Sequence, residues 1–171
     1  MALRTIVFTP DPVLRRKAHK VTVFDKELQV LIDDMIDTMR DAPGVGLAAP
    51  QVGISQRVIV VEYGGDDDED EDAPKKLFTV VNPEIVETSS DMVDGTEGCL
   101  SVPRMMGEVS RHEKIVVKGL NRYGKPVKIK LSGWLARIFQ HEIDHLDGIL
   151  YTDRASKVWQ PKDEEEVQDS V

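Results

Sequence analysis

Residues 141–145 read His-Glu-Ile-Asp-His, and no other stretch limits the fold so tightly. On a helix, residues four apart lie one turn above another, so both imidazoles can reach one metal ion while Glu142 sits beside it. The chain must therefore supply a helix here. Ser132 can cap a segment from Gly133 to about Leu146, with Trp134, Leu135, Ile138 and Phe139 as apolar bulk and Gly148 ending it. The bland alternative is two surface histidines and a glutamate sharing a helix by accident. An ion held by two histidines also needs a third protein ligand, whose identity decides the class of site.

Three sources of that ligand can be compared. The metzincin pattern H-E-x-x-H-x-x-G-x-x-H is followed as far as Gly148, but Tyr151 stands at its last position. A downstream glutamate would have to be Glu164, Glu165 or Glu166, which lie in no apolar helical context. The third source is Cys99, within Asp94-Gly95-Thr96-Glu97-Gly98-Cys99-Leu100-Ser101-Val102-Pro103. A lone cysteine is usually buried filler. Its neighbouring glycines suit a tight, exposed backbone better than an ordinary core strand, and a distant H-E-x-x-H turns the balance toward a ligand.

As the only cysteine, Cys99 has no partner for an intramolecular disulfide, which favours a reducing compartment. A chain of 171 residues fits one compact domain that buries roughly 70% of its unfolded surface. The N-terminus reaches Pro10 and Asp11 without the apolar stretch and cleavage site of an export signal. The longest clean aliphatic run, Val58 to Val61, falls far short of the roughly 20 residues of a membrane span. A soluble protein with no membrane partner is expected. The net charge of −9 comes mostly from Asp66 to Asp72 and from the acidic tail after Lys162. The remaining body is nearly neutral and carries no nucleic-acid signal.

Asp25 can cap a helix in which Leu28, Leu31, Ile32, Met35 and Met39 recur at helical spacing up to Asp41-Ala42-Pro43. The methionines there read as core filler. Strands are expected at Gln56 to Tyr63, Leu77 to Val81, Glu84 to Glu87, Val109 to Leu120 and Val127 to Leu131, the last two joined by a hairpin through Asn121 to Lys125. The acids of residues 64–74 lack the spaced ligands of a calcium loop and read as a solvated, mobile segment. Residues 1–160 thus form a single domain and 161–171 a loose acidic tail. Between Pro43 and Gly53, small and apolar residues leave the backbone little hidden, as a peptide-binding edge requires. The Lys-Ser/Thr ending of a phosphate loop is absent.

Three separated segments, Gly44-Val45-Gly46-Leu47-Ala48-Ala49-Pro50-Gln51, Glu97-Gly98-Cys99-Leu100-Ser101 and Gln140-His141-Glu142-Ile143-Asp144-His145-Leu146-Asp147-Gly148, closely resemble the three signature motifs of peptide deformylases, in the same order. The resemblance runs from about residue 3 to Asp153. It implies an α+β fold in which antiparallel strands wrap a central helix carrying the H-E-x-x-H motif, with the earlier helix packed outside. It also implies a metal-dependent amide hydrolase that removes the formyl group from the N-terminal formylmethionine of newly synthesised polypeptides and releases formate.

By the same resemblance Cys99, His141 and His145 would ligate one divalent metal per chain, natively Fe2+, with Zn2+, Ni2+ or Co2+ as substitutes. The preference for iron comes from the family, because a thiolate with two imidazoles suits zinc well. Glu142 would be the proton carrier, with Gln51 and the Leu100 N–H stabilising the oxyanion. Val45, Gly98 and Ile138 would help form the methionine pocket, and Gly46 would present its backbone to the extended substrate. Arg111 and Asp144 are candidates for a supporting ion pair, or for solvated surface charge. Arg104-Met105-Met106 departs from relatives that carry a basic residue near Met106 to grip the substrate backbone. Partners would be N-formylmethionyl nascent chains at the ribosome, in the cytoplasm, or in an organelle if a transit peptide has been removed. A zinc endopeptidase is disfavoured by the missing downstream ligand, and a non-catalytic metal- or peptide-binding module by the presence of Glu142 and Gln51.

Overall fold

A computed structural model describes residues 2–64 and 75–161. The acidic loop and the acidic tail expected from the sequence lie outside the described residues, apart from Gly64 and Pro161. Helix α1 spans Lys26–Asp41, and the Asp25 side chain caps it by accepting from the Leu28 N–H at 3.0 Å. Strands β1 (Gly46–Ala48), β2 (Val58–Tyr63) and β3 (Lys76–Thr88) follow, then β4 (Met92–Cys99), β5 (Val102–His112), β6 (Lys114–Leu120) and β7 (Pro126–Ser132). Helix α2 (Gly133–Leu146), the short α3 (Tyr151–Arg154) and β8 (Lys157–Trp159) complete the described chain.

The strands form a five-stranded sheet, β1-β2-β3-β6-β7, and a three-stranded sheet, β4-β5-β8. Every pairing within them is antiparallel. The expected strand from 109 to 120 is broken at Glu113, where the chain leaves the smaller sheet for the larger one. The polar run Ser110 to Lys114 contains no glycine or proline to mark that crossing. Conversely, the two strands expected at 77–81 and 84–87 are one. Asn82 takes φ 52 and Pro83 lacks an N–H, so a bulge between Val81 and Glu84 carries the strand past them.

Strand β2 explains how the core is layered. Successive side chains of a strand point to opposite faces, and all four of Val58 to Val61 are buried. Val58 and Val60 meet Leu28, Leu31, Ile32, Met35 and Met39 of α1. Ile59 and Val61 meet Ile138, Phe139, Ile143 and Leu146 of α2 on the other face. The smaller sheet then adds Cys99, Val102 and Val109, clustered with Leu150 and Tyr151. Helix α2 is therefore enclosed by strands while α1 packs outside, as expected. Ser132 makes no side-chain cap bond, and the Gly133 N–H instead donates to the Glu113 carbonyl at 3.0 Å. Among the described residues no helix is long and apolar enough to cross a membrane.

Candidate metal centre

The last turns of α2 hold His141, Glu142 and His145, all buried. The end of β4 brings Cys99 to them. A register shift between Glu97 and Cys99 re-aims the strand just before the thiol. The donor atoms of Cys99, His141 and His145 all lie within 4.8 Å of one another, and Cys99 Sγ is 3.4 Å from His145 Nε2. One sulfur and two imidazole nitrogens are a donor set suited to a divalent transition metal. His141 Nε2, His145 Nδ1 and both carboxylate oxygens of Glu142 are buried without a hydrogen-bond partner. Such atoms carry a desolvation cost, and a cation held between Cys99, His141 and His145 would offset it for His141 Nε2, the ring nitrogen that Glu97 leaves free. The residues fit a bound divalent ion.

Glu97, 0% exposed, fixes the outer side of this group. Its Oε1 accepts from His141 Nδ1 at 2.9 Å, which assigns the proton to Nδ1 and leaves Nε2 for a metal. Arg111 forks onto Glu97 with Nε and a terminal nitrogen, both at 2.9 Å, and Arg137 donates to Oε2 at 2.6 Å. Arg111 also donates to Asp144 at 2.7 Å, and Arg154 binds both oxygens of the same carboxylate at 2.6 and 3.0 Å. Arg111 and Asp144 thus form a buried ion pair and are not solvated surface charge.

These surroundings drive the titratable groups apart. Burial raises the Glu142 carboxyl to about 7. Burial also holds His145 well below its ordinary value, with the charge of His141 adding to the effect. Burial opposes charge on His141 too, but the Cys99 sulfur and the Glu97 carboxylate override it and raise the imidazole to about 10. Glu97 itself is pulled far below the carboxylate range by Arg111 and His141 despite its burial.

The other expected site residues fall around this centre. The Gln51 amide oxygen accepts from the Ala48 N–H at 3.0 Å, and its Nε2 donates to Ser101 Oγ at 3.2 Å while lying 3.6 Å from Cys99 Sγ. Gly46 lies on edge strand β1, and a Cβ there would stand 2.5 Å from Glu142 Oε2. Leu100 follows Cys99 at the turn into β5, its side chain packed on the α1 cluster. Val45 and Ile138 belong to one apolar cluster, and Gly98 is buried next to Cys99. A surface cavity of about 650 Å³, lined by Arg4, Lys20 and Leu28 among others, contains none of these residues. Here chemistry, not volume, marks the site.

Sequence reasoning gave no role to Glu97, Ser101, Arg137 or Tyr151. Arg137 had a readable signal, standing four residues before His141 and hence on the same helix face. Tyr151, at the position where a metzincin carries its last histidine, instead stacks on His141, with ring centroids 6.0 Å apart and planes at 20°.

A buried thiol, two helix-borne imidazoles and an unpartnered glutamate inside this α+β fold define a metal-dependent hydrolase. The family model described as polypeptide deformylase matches residues 3–160, and the chain belongs to that family. A peptide deformylase of Symbiobacterium thermophilum is 53% identical over 92% of this chain and 69% of its own length. One from Natranaerobius thermophilus is 48% identical over 95% and 99%. The crystal structure of a peptide deformylase from Legionella pneumophila superposes with a TM-score of 0.81 at 47% identity, covering 90% of this chain and 86% of the other. The enzyme removes the N-formyl group from newly made polypeptides, and its Cys-His-His group has the donors to hold a divalent metal.

Proposed function

We propose that Cys99, His141 and His145 hold one Fe2+ ion, replaceable by Zn2+, Ni2+ or Co2+, and that Glu142 moves the proton on which deformylation depends. When bound, the ion supplies Lewis acidity toward the formyl oxygen and lowers the pKa of a water. Glu142 would accept the proton of an attacking water as the water's oxygen adds to the formyl carbon. The Gln51 Nε2 and the Leu100 N–H donate to the oxygen on which negative charge develops. Glu142 then returns the proton to the departing amine, the C–N bond breaks, and formate and a free N-terminus leave. Gly46 pairs with the extended peptide as a short added strand. Val45, Gly98 and Ile138 receive the methionine side chain. Residues 1–160 act as one catalytic domain on N-formylmethionyl nascent chains at the ribosome, in the cytoplasm, or in an organelle if a transit segment precedes the mature chain.

The observation that carries this reading is Glu142 itself. It is 0% exposed, neither carboxylate oxygen has a partner, and burial brings its pKa to about 7, where one group can both take and return a proton. The test is formate release from a formyl-Met peptide by protein purified without oxygen and loaded with Fe2+ or Ni2+, beside Glu142→Ala and an acetyl-Met peptide. Formate from the wild type alone, with the acetyl peptide intact, is expected. Turnover by Glu142→Ala at the wild-type rate would remove Glu142 from the mechanism. Gln51→Ala should lose about a hundredfold in kcat while retaining its metal.

A further inference from the structure

We propose that Arg137 is a positioning residue for the metal centre, acting through Glu97 on the His141 ring, and that position 95 is glycine to admit its guanidinium. The inference rests on reading Cys99, His141 and His145 as the metal ligands.

Arg137 stands one turn before His141 on α2, and only 4% of its side chain is exposed. One terminal nitrogen donates to Glu97 Oε2 at 2.6 Å and to the Val109 carbonyl at 2.9 Å, and the other to the Val93 carbonyl at 2.6 Å. A single planar group thereby ties β4 to β5 around the carboxylate that holds His141. The Trp134 ring lies alongside, 5.4 Å from the guanidinium carbon.

Charge balance does not require this cation. Arg111 already forks onto both oxygens of Glu97, and buried ionic groups are generally no more stabilising than well-packed apolar ones. What Arg137 adds is direction. Arg111 spans both oxygens, Arg137 holds Oε2 from a second side, and Oε1 is left aimed at His141 Nδ1. The Arg111 fork and the single Arg137 bond together fix the plane of the carboxylate, and that plane fixes the ring that would present Nε2 to a metal.

Gly95 supplies the independent observation. A Cβ at this position would lie 2.7 Å from Arg137 Cζ and 2.9 Å from two of its guanidinium nitrogens. A guanidinium bonded to both strands cannot retreat without giving up those bonds. Gly95→Ala therefore displaces Arg137 without replacing any side chain of the centre.

Changing the outer partners of a metal-bound ligand costs roughly 10–100-fold in metal affinity. Arg137 is one step further out, so Arg137→Met should weaken Co2+ binding about tenfold. The experiment is Co2+ titration of metal-free protein against a competing chelator, recording the d–d and thiolate charge-transfer bands. Arg137→Met should bind more weakly with altered d–d bands, Arg137→Lys should recover part of both, and Gly95→Ala should shift both in the same direction as Arg137→Met. Wild-type affinity and bands in folded Arg137→Met overturn the inference. If Arg137→Met does not fold, Arg137→Lys and Gly95→Ala decide in the same way. A wild type that takes up no Co2+, or a Cys99→Ala variant with unchanged bands, instead overturns the ligand reading on which the inference rests.

Discussion

Helices α1 and α2 are both essential to the core, yet they are buried by different means. Helix α1 turns Leu28, Leu31, Ile32, Met35 and Met39 inward and leaves Lys26, Glu27, Val30 and Arg40 exposed. Its place is set by apolar area on one side. Helix α2 is buried at every residue from Ala136 to Leu146, including Arg137, Gln140, His141, Glu142, Asp144 and His145. Its polar groups are met by Glu97, Arg111 and Arg154 and by the main chain of Val93, Val109 and His112 on neighbouring elements, except for the four atoms of His141, Glu142 and His145 that have no partner. A helix buried by area can lose side-chain volume and still function. One buried with unpaired polar atoms carries their cost in stability.

The largest expected effect separates those two properties at one residue. Glu142→Gln should lower kcat by a thousandfold or more, on the order of a lost general acid–base group, and yet stabilise the metal-free protein at pH 8. The Glu142 carboxyl titrates near 7 in the fold and near about 4.3 when unfolded. Its ionisation therefore removes stability as pH rises through that window, and the variant escapes the loss. Urea denaturation of both proteins at pH 5 and pH 8 checks this. A gain equal at both values would rule out the carboxyl as its source.

The rate profile is the next largest effect. With Glu142 acting as a base, kcat/KM should fall about tenfold per pH unit on the acid side. That limb begins below 7, since a bound cation lowers the pKa from its metal-free value of about 7. A flat profile from pH 5 to 7 would break the assignment.

In α1 the effects are on folding only. Met35 is fully buried, and Met35→Ala should cost about 2–5 kcal/mol in denaturant unfolding with kcat and KM unchanged well below the melting temperature. A smaller effect belongs to the one acid on the inner side of this helix. Asp34 accepts from the Ala2 N–H at 2.8 Å and from Arg4 at 3.0 Å. The Ala2 bond, aided by Arg4 and opposed by burial, lowers its pKa. That stabilisation is present above the unfolded value of about 3.9 and is lost as pH falls through the lower folded value. Asp34→Asn should cost about 1 kcal/mol at pH 7 and progressively less below pH 4.

The same contrast governs how much could be read from the sequence. The bounds of α1, its cap at Asp25 and its buried face followed from periodicity, because each contact partner is simply another apolar group. Helix α2 and its two imidazoles were equally legible, since their spacing is local. Glu97, Ser101 and Arg137 were not assigned roles, because their meaning depends on which strand lies opposite, and a carboxylate beside a cysteine looks solvated until β4 is docked on α2. The crossing at Glu113 was hidden for a related reason. No glycine or proline marks the break within Ser110 to Lys114, and only the packing of two sheets requires the chain to leave one for the other.

The closeness of position 46 to Glu142 also limits how this enzyme can escape an inhibitor. A compound that pairs with the β1 edge at Gly46 is held by main-chain atoms, which mutation does not alter. The usual remedy, adding bulk at the point of contact, would drive a side chain to within 2.5 Å of the Glu142 carboxylate and disable the enzyme along with the drug. Resistance to such a compound would have to arise at a residue lining the side-chain pocket.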